Sequence, residues 1–287
     1  MPAKSIYPTL LLLALLPTAE SATTFINAGS AEANNIFVAD NWDNGLPTAA
    51  NPGTIAGDAT WWPADTAGDG SGSTGASSNI ASGIDITVTS GTLSRVGSFI
   101  PEFTDCIIDL QGGSMSNDGP GSRVFRLSGT SVLTVGAGST FTHDPSRGME
   151  FQNDGAGTPS IIIDGGTLNG GLGSGDTTGV VTSDTAYAFL TFTANGGYAS
   201  FDGLDFSVSS PYIDFVSGST GVLELGNGDA TLYEDLWNSG NLRIDGANSG
   251  TFSTNFIVDG TQLSLIPEPA VTLLGGLGLL GLLRRRR

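Results

Sequence analysis

The chain has 287 residues, a formal net charge of −18, 43 glycines, one cysteine and one histidine. Residues 22–265 contain five arginines, no lysine and 26 acidic residues. Such a surface lacks the basic clusters that bind nucleic-acid phosphates, so nucleic-acid binding is excluded. One cysteine excludes an intramolecular disulfide, and one histidine excludes an HExxH zinc site. Abundant Gly, Ser, Thr, Asp and Asn disfavour helices, and this composition predicts an all-β body.

Residues 1–21 have the pattern of a secretory signal peptide. Lys4 precedes an apolar run at 10–16, and Pro17 and small residues at 18–22 follow it. The run is shorter than the ~20 apolar residues that a membrane span requires. A basic start, a short apolar run and small residues are typical of exported precursors. We expect the Sec signal peptidase to cleave after Ser21.

Short apolar or alternating runs recur along the predicted body, 22–265, and turn signals such as Asp-Gly and Asn-Gly close them. The runs lie at 84–89, 106–110, 132–135, 161–163, 189–193, 222–225, 242–244 and 256–258. A related phrase also returns at 163–168 and 258–263. Loose repetition with irregular insertions predicts a parallel β-helix, or β-solenoid, whose stacked coils bury one apolar column. An antiparallel β-sandwich is the alternative.

The solenoid hypothesis assigns one residue from each of several runs to the apolar column. These residues are Ile108, Leu133, Ile162, Leu223 and Ile244.

Three segments depart from the strand pattern. Residues 65–79 are rich in Gly and Ser and are predicted to form a flexible loop. Residues 233–237 are predicted to form a short helical turn within a C-terminal cap. Residues 41–48, followed by 57–59, are similar to an element that opens exported, repetitive bacterial surface proteins. That resemblance implies that Trp42 covers the open edge of the first coil.

Carboxylates are the only abundant functional groups for catalysis. Asp202 with Asp205, and Asp105 with Asp109, are candidate pairs for a glycosidase or lyase. Solvated turn positions account for the same residues, so we predict no catalytic residue. His143 is predicted to be a solvated loop residue, since the chain has no G-x-S-x-G nucleophile motif.

Three further features concern ligands. We expect no cofactor and no metal site; a Ca²⁺ loop at 65–70 is the alternative, although it lacks the ligand spacing of an EF-hand. Trp61 and Trp62 are candidate glycan contacts, and packing in the core or cap is the alternative. The Thr-x-Thr pairs Thr87/Thr89 and Thr191/Thr193 give little support to ice binding. Cys106 is predicted to be a buried core thiol.

The segment 266–287 joins three features in order. Pro267, Glu268 and Pro269 precede the apolar stretch 270–283, and a basic cluster ends the sequence: Arg284, Arg285, Arg286 and Arg287. Fourteen helical residues rise ~21 Å, short of the ~30 Å hydrocarbon core, so the stretch suits a temporary anchor. A permanent single-span anchor is the alternative.

This segment resembles the PEP-CTERM sorting signal of Gram-negative bacteria. The resemblance implies a hydrophobic sorting helix, processing by an exosortase, and an envelope rich in exopolysaccharide as the destination. It implies transient residence in the inner membrane, then the cell surface or extracellular space. We therefore expect a secreted, non-enzymatic surface or matrix protein. The alternatives are a carbohydrate-active β-helix enzyme and a glycan-binding or ice-binding module.

Overall fold

The computed structural model describes residues 22–27, 34–61, 78–95, 100–117, 125–144, 149–152, 157–170, 181–182, 187–203 and 211–267. The predicted signal peptide 1–21 lies outside these ranges. So do 62–77, which include most of the predicted loop 65–79, and the part of the sorting segment that follows Pro267.

The described residues form a β-solenoid of about six turns, in which successive coils add parallel strands to three sheets. Sheet A contains β1 (Thr23–Thr24), β2 (Gly53–Ala56), β5 (Asp85–Ser90), β8 (Ile107–Leu110), β11 (Val132–Gly136), β14 (Ser160–Asp164), β17 (Ala188–Phe192), β19 (Tyr212–Phe215) and β21 (Leu242–Ile244). Sheet B contains β4 (Ser78–Ser82), β7 (Ile100–Thr104), β10 (Phe125–Ser128), β13 (Met149–Gln152) and β16 (Val181–Thr182). Sheet C contains β3 (Ala59–Trp61), β6 (Thr92–Arg95), β9 (Ser114–Asn117), β12 (Thr140–His143), β15 (Thr167–Asn169), β18 (Tyr198–Phe201), β20 (Val222–Leu225), β22 (Phe256–Asp259) and β23 (Gln262–Leu265). The predicted parallel β-helix is confirmed, and the sandwich alternative is wrong.

Alternation along each strand places one set of side chains in a shared core. Ile108, Leu133 and Leu223 are buried, as predicted. Ile162 is not: it lies on the outer face of β14, while Ile161 and Ile163 point inward. Three consecutive isoleucines do not show whether the middle residue or the two outer residues of the run face the core. A shift of one residue exchanges the two faces of the strand. Ile244 is partly buried against the core.

Glycine allows successive coils to approach closely at the corner between sheets A and C. A Cβ atom at Gly166 would lie 2.5 Å from the carbonyl oxygen of Gly136 in the preceding coil. A Cβ at Gly221 would lie 2.5 Å from a ring carbon of Phe192. Any larger residue would force the stacked coils apart at these two corners.

The N-terminal end of the solenoid is closed by residues 34–61, which include a 3₁₀ turn at Ala39–Asn41. Trp42 is 3% exposed, packs edge-on against Phe25, and donates its indole N–H to the Ile36 carbonyl at 2.8 Å. The tryptophan that was predicted to cover the first coil therefore does lie in this cap.

The C-terminal end is closed by α1 (Ala230–Ser239), α2 (Phe252–Asn255) and the β22–β23 hairpin. Asp229 caps α1 by accepting from the Leu232 amide, and Gly240 ends the helix in the left-handed conformation. β23 runs antiparallel to β20, so parallel stacking stops there. The helical turn predicted at 233–237 is confirmed within α1. Neither of the described helices is long and apolar enough to cross a membrane.

Candidate functional site

The outer face of sheet C carries two rows of uncharged polar side chains, most of them small hydroxyl residues. One row runs in register through Thr92, Ser114, Thr140, Thr167 and Tyr198, and the other through Ser94, Ser116, Thr142, Asn169 and Ser200. We call these ten residues the hydroxyl face.

The rows follow from the strand pattern. Each strand places one buried residue between two outward ones, as Phe141 lies between Thr140 and Thr142. Neighbouring strands lie ~4.8 Å apart, and outward residues on one strand ~6.7 Å apart, so the hydroxyls form a regular grid. Hydroxyl groups both donate and accept hydrogen bonds. This face can therefore meet a neutral, hydrogen-bonding surface over several coils.

An open groove of about 360 Å³ lies at the end of the hydroxyl face nearer the C-terminal cap. Its lining comprises Thr142, His143, Asn169, Gly170, Tyr198, Ser200, Phe201, Asp202, Glu224 and Gly226. Most of these side chains belong to β12, β15, β18 and β20, so four successive coils build the groove. Its volume lies within the range of small-molecule sites.

Glu224 is the most strongly held polar group in the groove. Its carboxylate accepts from the Tyr198 hydroxyl at 2.5 Å, from the Thr261 hydroxyl at 3.0 Å and from the Gln262 amide at 3.0 Å. These bonds, chiefly the one from Tyr198, lower the pKa of Glu224, and the carboxylate is therefore ionised at neutral pH. Burial and the neighbouring Glu224 raise the pKa of Tyr198. Tyr198 and Glu224 therefore place a phenol and a carboxylate anion at defined positions in the groove.

Only one of the two candidate carboxylate pairs, Asp105 with Asp109, lies entirely within the described residues, and its two members have separate hydrogen-bond partners. Asp202 is exposed at the groove, and Asp205 lies outside the described residues. Asp105 has a φ of 54° and accepts from the Thr130 amide at 2.8 Å and its hydroxyl at 2.9 Å. Asp109 accepts from the Gln111 side chain at 2.9 Å. Asp105 and Asp109 therefore serve local and inter-coil contacts.

The prediction for His143 is wrong. The residue is the last of β12 and 2% exposed, because alternation from buried Phe141 directs it inward. Its Nδ1 lies 2.8 Å from the Asn117 side-chain amide nitrogen in the neighbouring strand. His143 and Asn117 thus form a polar step inside the apolar core, behind the groove.

Trp61 cannot be the glycan contact that was considered for it. It is 1% exposed and packs against Phe103 and Phe125, with ring centroids 5.3 and 6.2 Å away. It points inward because it alternates with outward Thr60 on β3. Trp62 lies outside the described residues, as do Glu268, Pro269 and Arg284 to Arg287; Pro267 is the last described residue.

Cys106 is fully buried, as predicted, and its thiol donates to the Thr104 carbonyl at 3.3 Å. Burial raises the pKa of this thiol to about 11, so it is protonated and unreactive at neutral pH. Within the described ranges, no group of three or more His, Cys, Asp or Glu side chains is arranged to hold a metal ion.

The hydroxyl face was missed in the sequence, where Thr87/Thr89 and Thr191/Thr193 were singled out. Thr87, Thr89 and Thr191 belong to strands of sheet A, and Thr193 directly follows β17. The available signal was a polar–apolar–polar triplet repeated in four consecutive coils, at Thr92–Ser94, Ser114–Ser116, Thr140–Thr142 and Thr167–Asn169. Only the register shows that these triplets stack.

Comparison of the chain with protein-family models, with curated proteins and with solved structures found no match.

Proposed function

We propose that the chain is an exported structural protein of the bacterial cell surface or extracellular matrix. In this proposal, residues 1–21 direct export and are removed by signal peptidase. Residues 266–287 then act as a sorting signal that an exosortase processes, with transient insertion of 270–283 in the inner membrane. The solenoid is the part that remains at the surface.

The observation that carries the proposal is the closure of the solenoid just before the sorting segment. β23 ends at Leu265, and the amide of Ile266 donates to the Asn255 carbonyl at 2.8 Å. Ile266 itself is 37% exposed. The last strand of sheet C and its bond to the cap thus lie within the described residues up to Pro267, which supports a tail that can be removed without unfolding the body.

A scaffold role, in preference to an enzyme, is supported by the use of the described aspartates. Asp105, Asp164 and Asp245 each accept hydrogen bonds from the following or preceding coil, so they hold the stack together. Among the candidate aspartates that the structure describes, Asp202 alone lies at the groove. A carbohydrate-active enzyme is the alternative that Asp202 and Glu224 leave open.

The sorting step is tested by mass spectrometry of the protein recovered from the surface of the native host. We expect the wild-type protein to lack Arg284–Arg287, and Glu268→Ala to accumulate as uncleaved precursor in the membrane. Glu234→Ala is the matched control, since Glu234 is exposed on α1 and lies outside the sorting segment 266–287. A surface-located wild-type protein that retains Arg287 would contradict processing and favour a permanent anchor.

The enzyme alternative is tested by incubating the purified protein with neutral glucans, pectin and alginate, with and without Ca²⁺. We expect no new reducing ends and no unsaturated products. Turnover that is lost in both Asp202→Ala and Glu224→Gln, and retained in Asp109→Ala on sheet A, would replace the scaffold proposal with a carbohydrate-active enzyme.

A further inference from the structure

We propose that the groove and the adjoining hydroxyl face bind a neutral, hydroxyl-rich glycan chain. The inference deepens the proposed function, on which it rests for the biological source of the glycan. It assigns the partner to a surface that none of the sequence patterns indicated. The binding itself is measurable on the purified chain, whatever its route to the surface.

The groove combines the two features that sugar rings require. Tyr198 is fixed at its phenol by Glu224, and its partly exposed ring is an aromatic surface for the C–H face of a sugar. Asn169, Ser200 and Asp202 place amide, hydroxyl and carboxylate groups around the same space. Together they can bond to several hydroxyls of one sugar ring while the aromatic ring orients it.

Rigidity favours binding at this position. Tyr198, Ser200 and Glu224 project from β18 and β20, which are paired in register, and Glu224 is further tied to Thr261 and Gln262 of the cap. A ligand would therefore not have to order these side chains, which lowers the entropic cost of binding.

Charge decides which glycans fit. The groove contains the ionised carboxylate of Glu224 and the side chain of Asp202, and no lysine or arginine is among the described residues that line it. A uronate or sulfate group would meet these carboxylates without a cation to balance them, and like charges repel strongly at close range. The ligand is therefore a neutral glycan, and the acidic polymers are excluded.

The hydroxyl face extends the site beyond one sugar unit. From β6 to β18 the two rows span roughly 19 Å along the solenoid axis, with a step of ~4.8 Å per coil. That step is close to the advance of one hexose in an extended chain. Successive sugars can thus lie against Asn169, Thr142 and Ser116 in turn, which adds contacts along the chain.

The test measures binding of the purified full-length protein to cellohexaose, laminarihexaose, maltohexaose and an alginate hexamer by isothermal titration calorimetry. We expect one of the neutral hexasaccharides to bind and the alginate hexamer not to bind. Tyr198→Ala should weaken that binding at least about ten-fold, because it removes the aromatic surface. Tyr212→Ala is the matched control: Tyr212 is the first residue of β19 and lies on the outer face of sheet A.

Asn169→Ala is a second variant, since Asn169 is exposed and its truncation leaves the core untouched. It should weaken binding several-fold, with an unchanged thermal transition, even if Tyr198→Ala fails to fold. Binding of no neutral hexasaccharide, preference for alginate, or equal affinity in Asn169→Ala and wild type would overturn the glycan site. Faceting of ice crystals without glycan binding would also overturn it, in favour of a water-ordering face. None of these results alters the sorting proposal, which is decided by the cleavage of 266–287.

Discussion

The outer faces of sheets A and C belong to the same coils, yet their polar side chains serve different ends. On the sheet A side, aspartates at strand ends bond to adjacent coils: Asp164 accepts from Asn195 at 2.8 Å and from Thr193, and Asp245 accepts from the Ser217 amide at 3.0 Å and from its hydroxyl. On sheet C, small neutral side chains stand in rows and lead to the groove. The aspartates on the sheet A side bond to neighbouring coils and so stabilise the stack. The rows on sheet C form a surface that can contact a ligand.

The inner faces of the two sheets do not differ in this way, since both contribute to one apolar core. Substitutions at Ile161 and Ile162 test which side chains of β14, a strand of sheet A, face this core. Ile161→Asp buries an unpaired carboxylate in a fully buried position and should cost several kcal/mol, a large part of the stability of a domain. Ile162→Asp lies on the outer face and should cost less than about 1 kcal/mol.

Guanidinium unfolding followed by circular dichroism measures both Ile161→Asp and Ile162→Asp. Equal destabilisation by the two substitutions would contradict the assigned register of β14.

Sheet B provides a third kind of outer face, on which Arg126 lies between Glu102 and Glu150. The guanidinium donates to Glu150 at 2.6 Å and to Glu102 at 3.0 Å, and the three side chains are 16%, 10% and 8% exposed, in the order Arg126, Glu150, Glu102. Arg126→Met would leave two nearly buried carboxylates without a cation, at a cost of about 3 kcal/mol or more.

Arg243→Met on sheet A is the control for Arg126→Met in chemical unfolding. Arg243 lies over the Tyr212 ring at 3.9 Å and donates to the Gly240 carbonyl at 2.9 Å, so we expect a loss of about 1 kcal/mol. A smaller effect at Arg126 than at Arg243 would show that the carboxylates of sheet B are solvated.

The different use of polar residues on sheets A and C predicts different costs of truncation. Asp164→Ala removes the acceptor for Thr193 and Asn195 and should cost about 1 kcal/mol. Thr142→Val on sheet C should change the free energy of unfolding by less than about 0.5 kcal/mol, because no hydrogen bond to its hydroxyl is found in the part of the chain that the structure describes. If chemical unfolding gave comparable losses of unfolding free energy for Asp164→Ala and Thr142→Val, the proposed difference between the polar residues of sheets A and C would be wrong.

The joining aspartates should also make stability depend on acidity. Hydrogen bonds from Thr130 lower the pKa of Asp105, and those from Ser217 lower the pKa of Asp245, below the ordinary value of 3.8. A carboxyl whose pKa is lower in the folded state stabilises the fold above its unfolded pKa, and that stabilisation disappears as pH falls through the folded value. The contribution is therefore complete above about pH 5 and is lost progressively as pH falls below about 4.

Melting temperatures between pH 3 and pH 7 measure this effect. The double variant Asp105→Asn/Asp245→Asn should melt at a lower temperature at pH 7 and lose less on acidification than wild type. Burial and, to a smaller extent, the charge of Asp245 raise the pKa of Asp214, which acts in the opposite direction. The single variant Asp105→Asn leaves Asp245 in place, so its acid profile separates the two effects. Asp235→Asn, on the exposed surface of α1, is the control. If the melting temperatures of the double variant and wild type differed by the same amount at every pH, the inter-coil role of Asp105 and Asp245 would be contradicted.

Several parts of the fold followed from local pattern. Alternation such as Asp85–Ser90, followed by Gly91 with a φ of 74°, marks a strand and its turn without any tertiary information. The burial of Cys106 followed from its apolar neighbours, and α1 followed from a segment rich in helix formers near 233–237. The wrong assignment of Ile162 shows the limit, because in an unbroken apolar run the parity of the inward side chains is set by the sheet and not by the run.

The amino-acid sequence by itself determined the all-β class, the stacked-coil architecture, the capped ends and the acidic, cysteine-poor character of the body. These are properties of composition and of neighbours along the chain. Only the tertiary structure decided that Thr92, Ser114, Thr140, Thr167 and Tyr198 form one row, that His143 and Trp61 lie inside, and that Tyr198 bonds to Glu224. The physical reason is that the coils differ in length, from about 22 to 33 residues, so no fixed spacing in the sequence predicts which side chains become neighbours. The pairing of strands between coils brings these side chains together.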